Sequence, residues 1–177
     1  MGVVEHYIKV VEEALPVNLI DKYCDFILSQ QNVKYELSQP NMADTNIVFS
    51  HTCEPKCSKK HGLFKEVAQE IKKLLPEDAG DLLRVRHAVS TMVPKARIHA
   101  KHIDTGFPHY VCLLYLLDSD GNTVLYQPDS NLVLTEVQPK KNRLLIFDGA
   151  LYHSSSPPSK HEHRIIGNYN FLRNTND

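Results

Sequence analysis

Beyond Gly80 the chain is built almost entirely of short runs rich in β-branched and aromatic residues. In order they are LLRVRHAVSTMV, ARIHAKHI, HYVCLLYLL, NTVLYQ, LVLTEVQ, RLLIFDG and RIIGNYNF, parted by the turn formers DSDGN, QPDSN, PKKN and SSPPS. Seven such runs in under a hundred residues point to a sandwich or barrel, here a C-terminal β-barrel or jelly roll. The N-terminal half reads differently. Residues 5–12 read as an opening strand, with a helix as the other reading, and Pro16 interrupts the pattern. Asn18 can cap a helix through about Leu28, burying Leu19, Ile20, Tyr23, Phe26 and Ile27. Residues 33–38 suit a short strand, and 39–61 read as polar and irregular. The spacing of Leu63, Val67, Ile71, Leu74 and Leu75 predicts an amphipathic helix that Pro76 stops. With no repeat and no long linker, 177 residues fit a single domain, with 1–80 as strand and helical support and 81–173 as the barrel. The expected class is therefore α+β, mainly β.

Composition narrows the function. Hydrophobic residues at 42% and charged residues at 23% are ordinary globular usage. Twenty Lys plus Arg against twenty-one Asp plus Glu gives a net charge of −1, so the basic excess of a duplex-binding protein is missing. No apolar run is long enough to cross a membrane, and MGVVEHYIKV lacks the basic-then-apolar order of an export signal. His6 stands where myristoylation of Gly2 needs Ser or Thr. Four scattered cysteines without such a signal imply reduced thiols and a cytoplasmic setting. Ten histidines call for a search for metal ligands.

Of those ten, only His102 is followed two residues later by a carboxylate, in His102-Ile103-Asp104. On a strand, positions i and i+2 share a face, so both side chains can aim inward. A third ligand must come from a strand distant in sequence. His153 fits, 49 residues after Asp104 and behind the run RLLIFDGALY. Two imidazoles and one carboxylate on one face make the facial triad of non-haem Fe(II) oxygenases, which leaves coordination positions open. Eleven residues after His153 comes Arg164. An inward-facing arginine is costly in a barrel unless an anion pairs with it, and its planar fork suits a carboxylate. A dicarboxylate cosubstrate could chelate the metal at one end and meet Arg164 at the other, with the Tyr115 hydroxyl donating to the same carboxylate.

The stretch from about Arg84 to Phe171 resembles the 2-oxoglutarate/Fe(II) dioxygenases, specifically the prolyl 4-hydroxylase-like group. The matching pieces are HID, LLYLLDSDGNT, VQPKKNRLLIFDG, His153 with SSSPP, and Arg164 with IIGNYNF, in that family's order. The opening strand, the Leu15-Pro16 turn and the following helix are also similar. The resemblance implies a double-stranded β-helix with Fe(II) on His102, Asp104 and His153. It implies 2-oxoglutarate on Arg164 with support from Tyr115, dioxygen as oxidant, and ascorbate as an optional further cofactor. The implied reaction is hydroxylation of an unactivated C–H bond, on a prolyl residue of a peptide or protein. Met92 stands where many prolyl hydroxylases carry Tyr, Gly121 precedes Asn122-Thr123 where a paired glycine is usual, and Asn142 stands where Gly is common. Hydroxylation of a free amino acid, another small molecule or a nucleobase stays open. So does a metal-binding jelly roll without catalysis, for which a buried Arg164 would have no use.

Other features invite plainer readings. Asn168 and Asn170 share the strand parity of Arg164, so they either line the pocket or sit as satisfied core groups. His99 has no carboxylate two residues on and suits a supporting place. His51, Cys53, Cys57 and His61 could bind zinc, but C-x3-C is looser than the usual spacing; a polar loop or substrate-contacting lid are the other readings. The triplet His161-Glu162-His163 reads as solvent-facing, and Lys140-Lys141 as a hairpin charge pair.

Overall fold

A computed structural model of the chain describes residues 6–29, 36–38, 48–53, 62–94, 98–128 and 130–175. Within them run β1 (Ile8–Val11), α1 (Val17–Leu28), β2 (Glu36–Ser38), β3 (Val48–Cys53) and α2 (Gly62–Lys72). These are followed by β4 (Ala79–Thr91), β5 (His109–Tyr115), β6 (Thr123–Tyr126), β7 (Val133–Val137), β8 (Leu144–Asp148), β9 (His153–Ser155) and β10 (His163–Arg173). The strands form a seven-stranded sheet, ordered β1-β8-β5-β10-β4-β3-β2, and a three-stranded sheet, ordered β7-β6-β9. Every recorded pairing is antiparallel. Two facing antiparallel sheets are the jelly-roll arrangement, the double-stranded β-helix that the C-terminal runs imply.

Strand parity divides the apolar residues into two cores. On β5, Tyr110, Cys112 and Leu114 face one way, and on β8 Leu144 and Ile146 join them. They pack under the helices against Leu19, Ile20, Tyr23 and Ile27 of α1 and Phe64, Val67 and Ile71 of α2. The alternate residues Val111, Leu113, Tyr115, Leu145 and Phe147 turn to the smaller sheet, meeting Leu125 and Val137. Burial on both faces explains why HYVCLLY and LLIFD carry almost no alternation of polarity.

The helices and six of the seven runs stand as read, with four differences. The run ARIHAKHI forms no strand among its described residues; His102 makes one isolated bridge to His153. Within the irregular reading of 39–61, residues 48–53 are β3, because Val48, Ser50 and Thr52 pair with Ser90, Ala88 and Arg86 of β4. His153 and the first two serines before the prolines are β9, paired with β6. Helix α1 begins at Val17 with Pro16 at the cap, so Asn18 lies inside the first turn and caps nothing. Proline pre-sets the backbone there and loses no needed donor. Cys57 and His61, and the Cys53 side chain, lie outside the described residues, so the possible zinc loop does too. His161, Glu162 and His163 are exposed, and Lys141 pairs with Asp21 at 2.6 Å.

Asn142 ties the opening turn to this framework. Its φ of 65° is the left-handed region that asparagine tolerates better than most residues, which accounts for glycine being common there. Its side chain also spans the Leu15 backbone, accepting from the N–H at 2.9 Å and donating to the carbonyl at 2.8 Å. Glycine would relieve the dihedral but lose both bonds. Replacing Asn142 with Ala leaves two buried backbone groups unpaired in a strained turn, and urea unfolding should show about 2–4 kcal/mol lost.

Candidate metal and anion site

The site forms where the two sheets face each other beside β4 and β10. The segment carrying His102 and Asp104 is held by a reciprocal backbone pair. His102 N–H donates to the His153 carbonyl at 3.0 Å, and His153 N–H returns the bond at 2.9 Å. That single bridge brings together two histidines 51 positions apart in the chain, with ring centroids 4.4 Å apart. Asp104 lies beyond the bridge in a bend, so it shares the cavity through loop geometry rather than strand alternation.

One donor atom from each of His102, Asp104 and His153 lies within 4.8 Å of the others, and His102 Nε2 stands 3.9 Å from Asp104 Oδ1. Donors bound to one ion at about 2.0–2.2 Å sit roughly 3–4 Å apart, so the set needs little closure to hold a metal. The His102 Nδ1–H meets the Ala100 carbonyl at 3.3 Å, which leaves Nε2 as the lone-pair nitrogen. Burial pulls the His153 imidazole down to about 4 against the opposing pull of Asp104, so the ring is neutral at pH 7 and able to ligate. Burial alone would raise the Asp104 carboxyl. His153, Asn168, Arg84 and Asn170 together outweigh it and hold the group well below the ordinary carboxylate range. Oδ2 accepts from Asn168 Nδ2 at 2.8 Å and from Asn170 Nδ2 at 2.9 Å, while Arg84 Nη2 lies 3.1 Å from Oδ1. The donor set therefore matches a divalent first-row metal in both chemistry and protonation state.

Arg164 lines the same cavity and is only 3% exposed. Its Nε donates to the Gly121 carbonyl at 2.7 Å and its Nη2 to Thr123 Oγ1 at 2.9 Å. Among the described residues no carboxylate lies within 4 Å of it, and Nη1 has no protein partner. Burial lowers its pKa, with Tyr115 opposing, yet a guanidinium stays charged at any physiological pH. A buried cation with no carboxylate partner among the described residues, beside three metal-type donors, has the charge to attract an anion into this cavity.

The sequence-read residues fall into two groups. His102, Asp104, His153 and Arg164 converge on one cavity, and His99 and Asn168 line it as well. Tyr115 does not. It is fully buried behind the wall, and its hydroxyl donates to Thr123 Oγ1 at 2.8 Å. Thr123 thus accepts from both Tyr115 and Arg164, and its own O–H remains to donate. Sequence reasoning passed over Thr123, Arg84 and Arg86. The signal was in LLRVRHAVST, where Arg84, Arg86, Ala88 and Ser90 alternate with residues that face the helices; all but Arg84 line the cavity.

Gly121 is the closest backbone approach in the site. A Cβ there would stand 2.5 Å from the Ser156 carbonyl and 2.8 Å from Arg164 Cδ. Gly121→Ala must push Arg164 out of line. Calorimetry should show anion affinity falling at least about tenfold while metal affinity stays within a few-fold of wild type.

No protein-family model matches the sequence, and no curated protein matches it. Solved structures do match, and they define a fold class: that of the 2OG-Fe(II) oxygenases. An oxidoreductase of that family from Burkholderia pseudomallei is similar at a TM-score of 0.72 and 11% identity, over 98% of this chain and 87% of that one. A Pseudomonas putida prolyl-4-hydroxylase is similar at 0.64 and 15% identity, over 98% and 96%. The epimerase SnoN, in complex with Fe3+, alpha ketoglutarate and nogalamycin RO, is similar at 0.68 and 12% identity, over 94% and 78%. At these identities the likeness establishes the fold. No helix among the described residues is long and apolar enough to cross a membrane.

Proposed function

We propose that this chain is an Fe(II)- and 2-oxoglutarate-dependent dioxygenase that hydroxylates an unactivated C–H bond. The observation that carries the reading is one cavity holding a His-Asp-His donor set and a buried guanidinium that pairs with no carboxylate among the described residues. A metal-binding module without a cosubstrate has no use for that guanidinium.

Fe(II), once bound with 2-oxoglutarate and dioxygen, supplies the oxidation by which R–H becomes R–OH while 2-oxoglutarate becomes succinate and carbon dioxide. The chain supplies place and charge. His102, Asp104 and His153 would hold the metal. Arg164 binds the distal carboxylate of the cosubstrate, and Thr123 donates its hydroxyl to the same group. Tyr115 holds the Thr123 oxygen from behind. Leu113 and Ile166 line the cavity and limit its water.

The leading substrate class is a prolyl residue in a peptide or protein, supported by the motif order of the C-terminal half and the likeness to a prolyl-4-hydroxylase. The likeness to an epimerase solved with a small molecule favours a small-molecule substrate as the second reading. Two measurements separate these levels. Adding Fe(II) and 2-oxoglutarate without oxygen should raise a weak visible band, and its absence removes the oxygenase reading. Succinate release paired with mass analysis of proline-containing peptides then tests the substrate. Succinate with no gain of an oxygen on any such peptide removes the prolyl reading alone.

A further inference from the structure

We propose that Arg84 is a placeholder cation: it neutralises Asp104 Oδ1 while the metal is away and yields that oxygen when a metal arrives. The inference rests on the metal-site reading above.

The argument starts from Asp104, whose side chain is only 4% exposed. A carboxylate that dry needs both hydrogen bonds and an opposite charge. Asn168 and Asn170 supply hydrogen bonds, both to Oδ2, but no charge. The nearest charge comes from Arg84, whose Nη2 lies 3.1 Å from Oδ1, with the Arg86 guanidinium acting on the same carboxylate from farther off. That oxygen is the one facing His102 Nε2, so metal and guanidinium contend for the same atom.

The Arg84 contact is built to be broken. Its Nη2 is buried yet not aligned for a hydrogen bond, so charge alone holds it to Oδ1. Arg84 Nε is tethered elsewhere, donating to Asn170 Oδ1 at 3.0 Å. The side chain is 27% exposed, which leaves it a path toward solvent. Oδ2 stays clamped by the two amides throughout, so the carboxylate keeps its orientation while Oδ1 changes partners. Two positive charges on one oxygen repel, so Arg84 stabilises the empty site and weakens metal binding.

The test compares wild type, Arg84→Gln and Arg84→Lys, titrated with Co(II) without oxygen. Arg84→Gln is expected to bind Co(II) about tenfold more tightly and to melt at a lower temperature in the metal-free form. Arg84→Lys keeps the charge and is expected to stay within about threefold of wild type. Equal or weaker Co(II) binding by Arg84→Gln overturns the proposal. Should that variant not fold, side-chain NMR of the wild type decides. Zn(II) should free the guanidinium rotation of Arg84 and leave that of Arg164 unchanged, and an Arg84 signal indifferent to Zn(II) overturns the proposal. Wild type that binds no Co(II) removes the metal-site reading and this proposal with it. Wild type that binds, with Arg84→Gln no tighter, removes this proposal only.

Discussion

Replacing Asp104 with Ala is expected to lower metal affinity by at least about a hundredfold and to abolish the anaerobic visible band. The size follows from the number of groups that lose their purpose together. The carboxylate is the only anionic donor of the three, so its loss removes the charge that attracts a divalent cation into a buried place. Arg84, Asn168 and Asn170 are then left facing one another without an acceptor between them. The metal-free protein is also expected to lose stability, because both amides lose the acceptor they share and Arg84 loses its counter-charge. Isothermal titration with Co(II), with circular dichroism to establish that the chain still folds, checks both parts. A variant that binds Co(II) as tightly as wild type would show that Asp104 is not a ligand.

Replacing Arg164 with Ala is expected to leave metal affinity within a few-fold of wild type and to weaken 2-oxoglutarate by about a hundred- to a thousandfold. The cosubstrate's distal carboxylate would then lie in a dry cavity with Thr123 as its remaining donor. Loss of one partner of a buried charge pair costs about 3–5 kcal/mol, and the lower part of that range corresponds to these factors. Lysine restores charge without the planar fork and should recover only part of the loss. Direct titration of the Co(II)-loaded protein with 2-oxoglutarate separates the two affinities. An equal fall in both would mean that Arg164 supports the cavity wall rather than the ligand.

Much of this site was legible because its chemistry rests on residue types that strands rarely hide. Arg164 stood out as a guanidinium at the head of a run otherwise bound for the core, and the parity of RIIGNYNF put Asn168 and Asn170 on its side. That parity held because β10 is paired with β4 on one flank and β5 on the other. The location of His102 and Asp104 was legible, but the reason for their meeting was not. A strand was the natural reading of ARIHAKHI, whereas one bridge and a bend do the work. The Tyr115 hydroxyl was legible, but the Thr123 oxygen that takes it was not. Strand β3 escaped because its partners lie on β4, some forty residues on, and local composition carries no trace of that pairing.

Strand β10 makes the candidate site sensitive to chain length. Arg164, Ile166 and Asn168 line the cavity, and Asn170 reaches Asp104 from the same face, because they are an even number of steps apart, while Ile165, Tyr169 and Phe171 look toward the helices. Deleting one residue from 165–169 would invert whichever part of the strand slips, trading amides for aromatic rings, even if every backbone bond re-formed. A two-residue deletion keeps the phase and displaces the amides along the barrel instead. Indels in this strand should therefore be sorted by odd or even length, and odd ones should abolish metal binding before they unfold the protein.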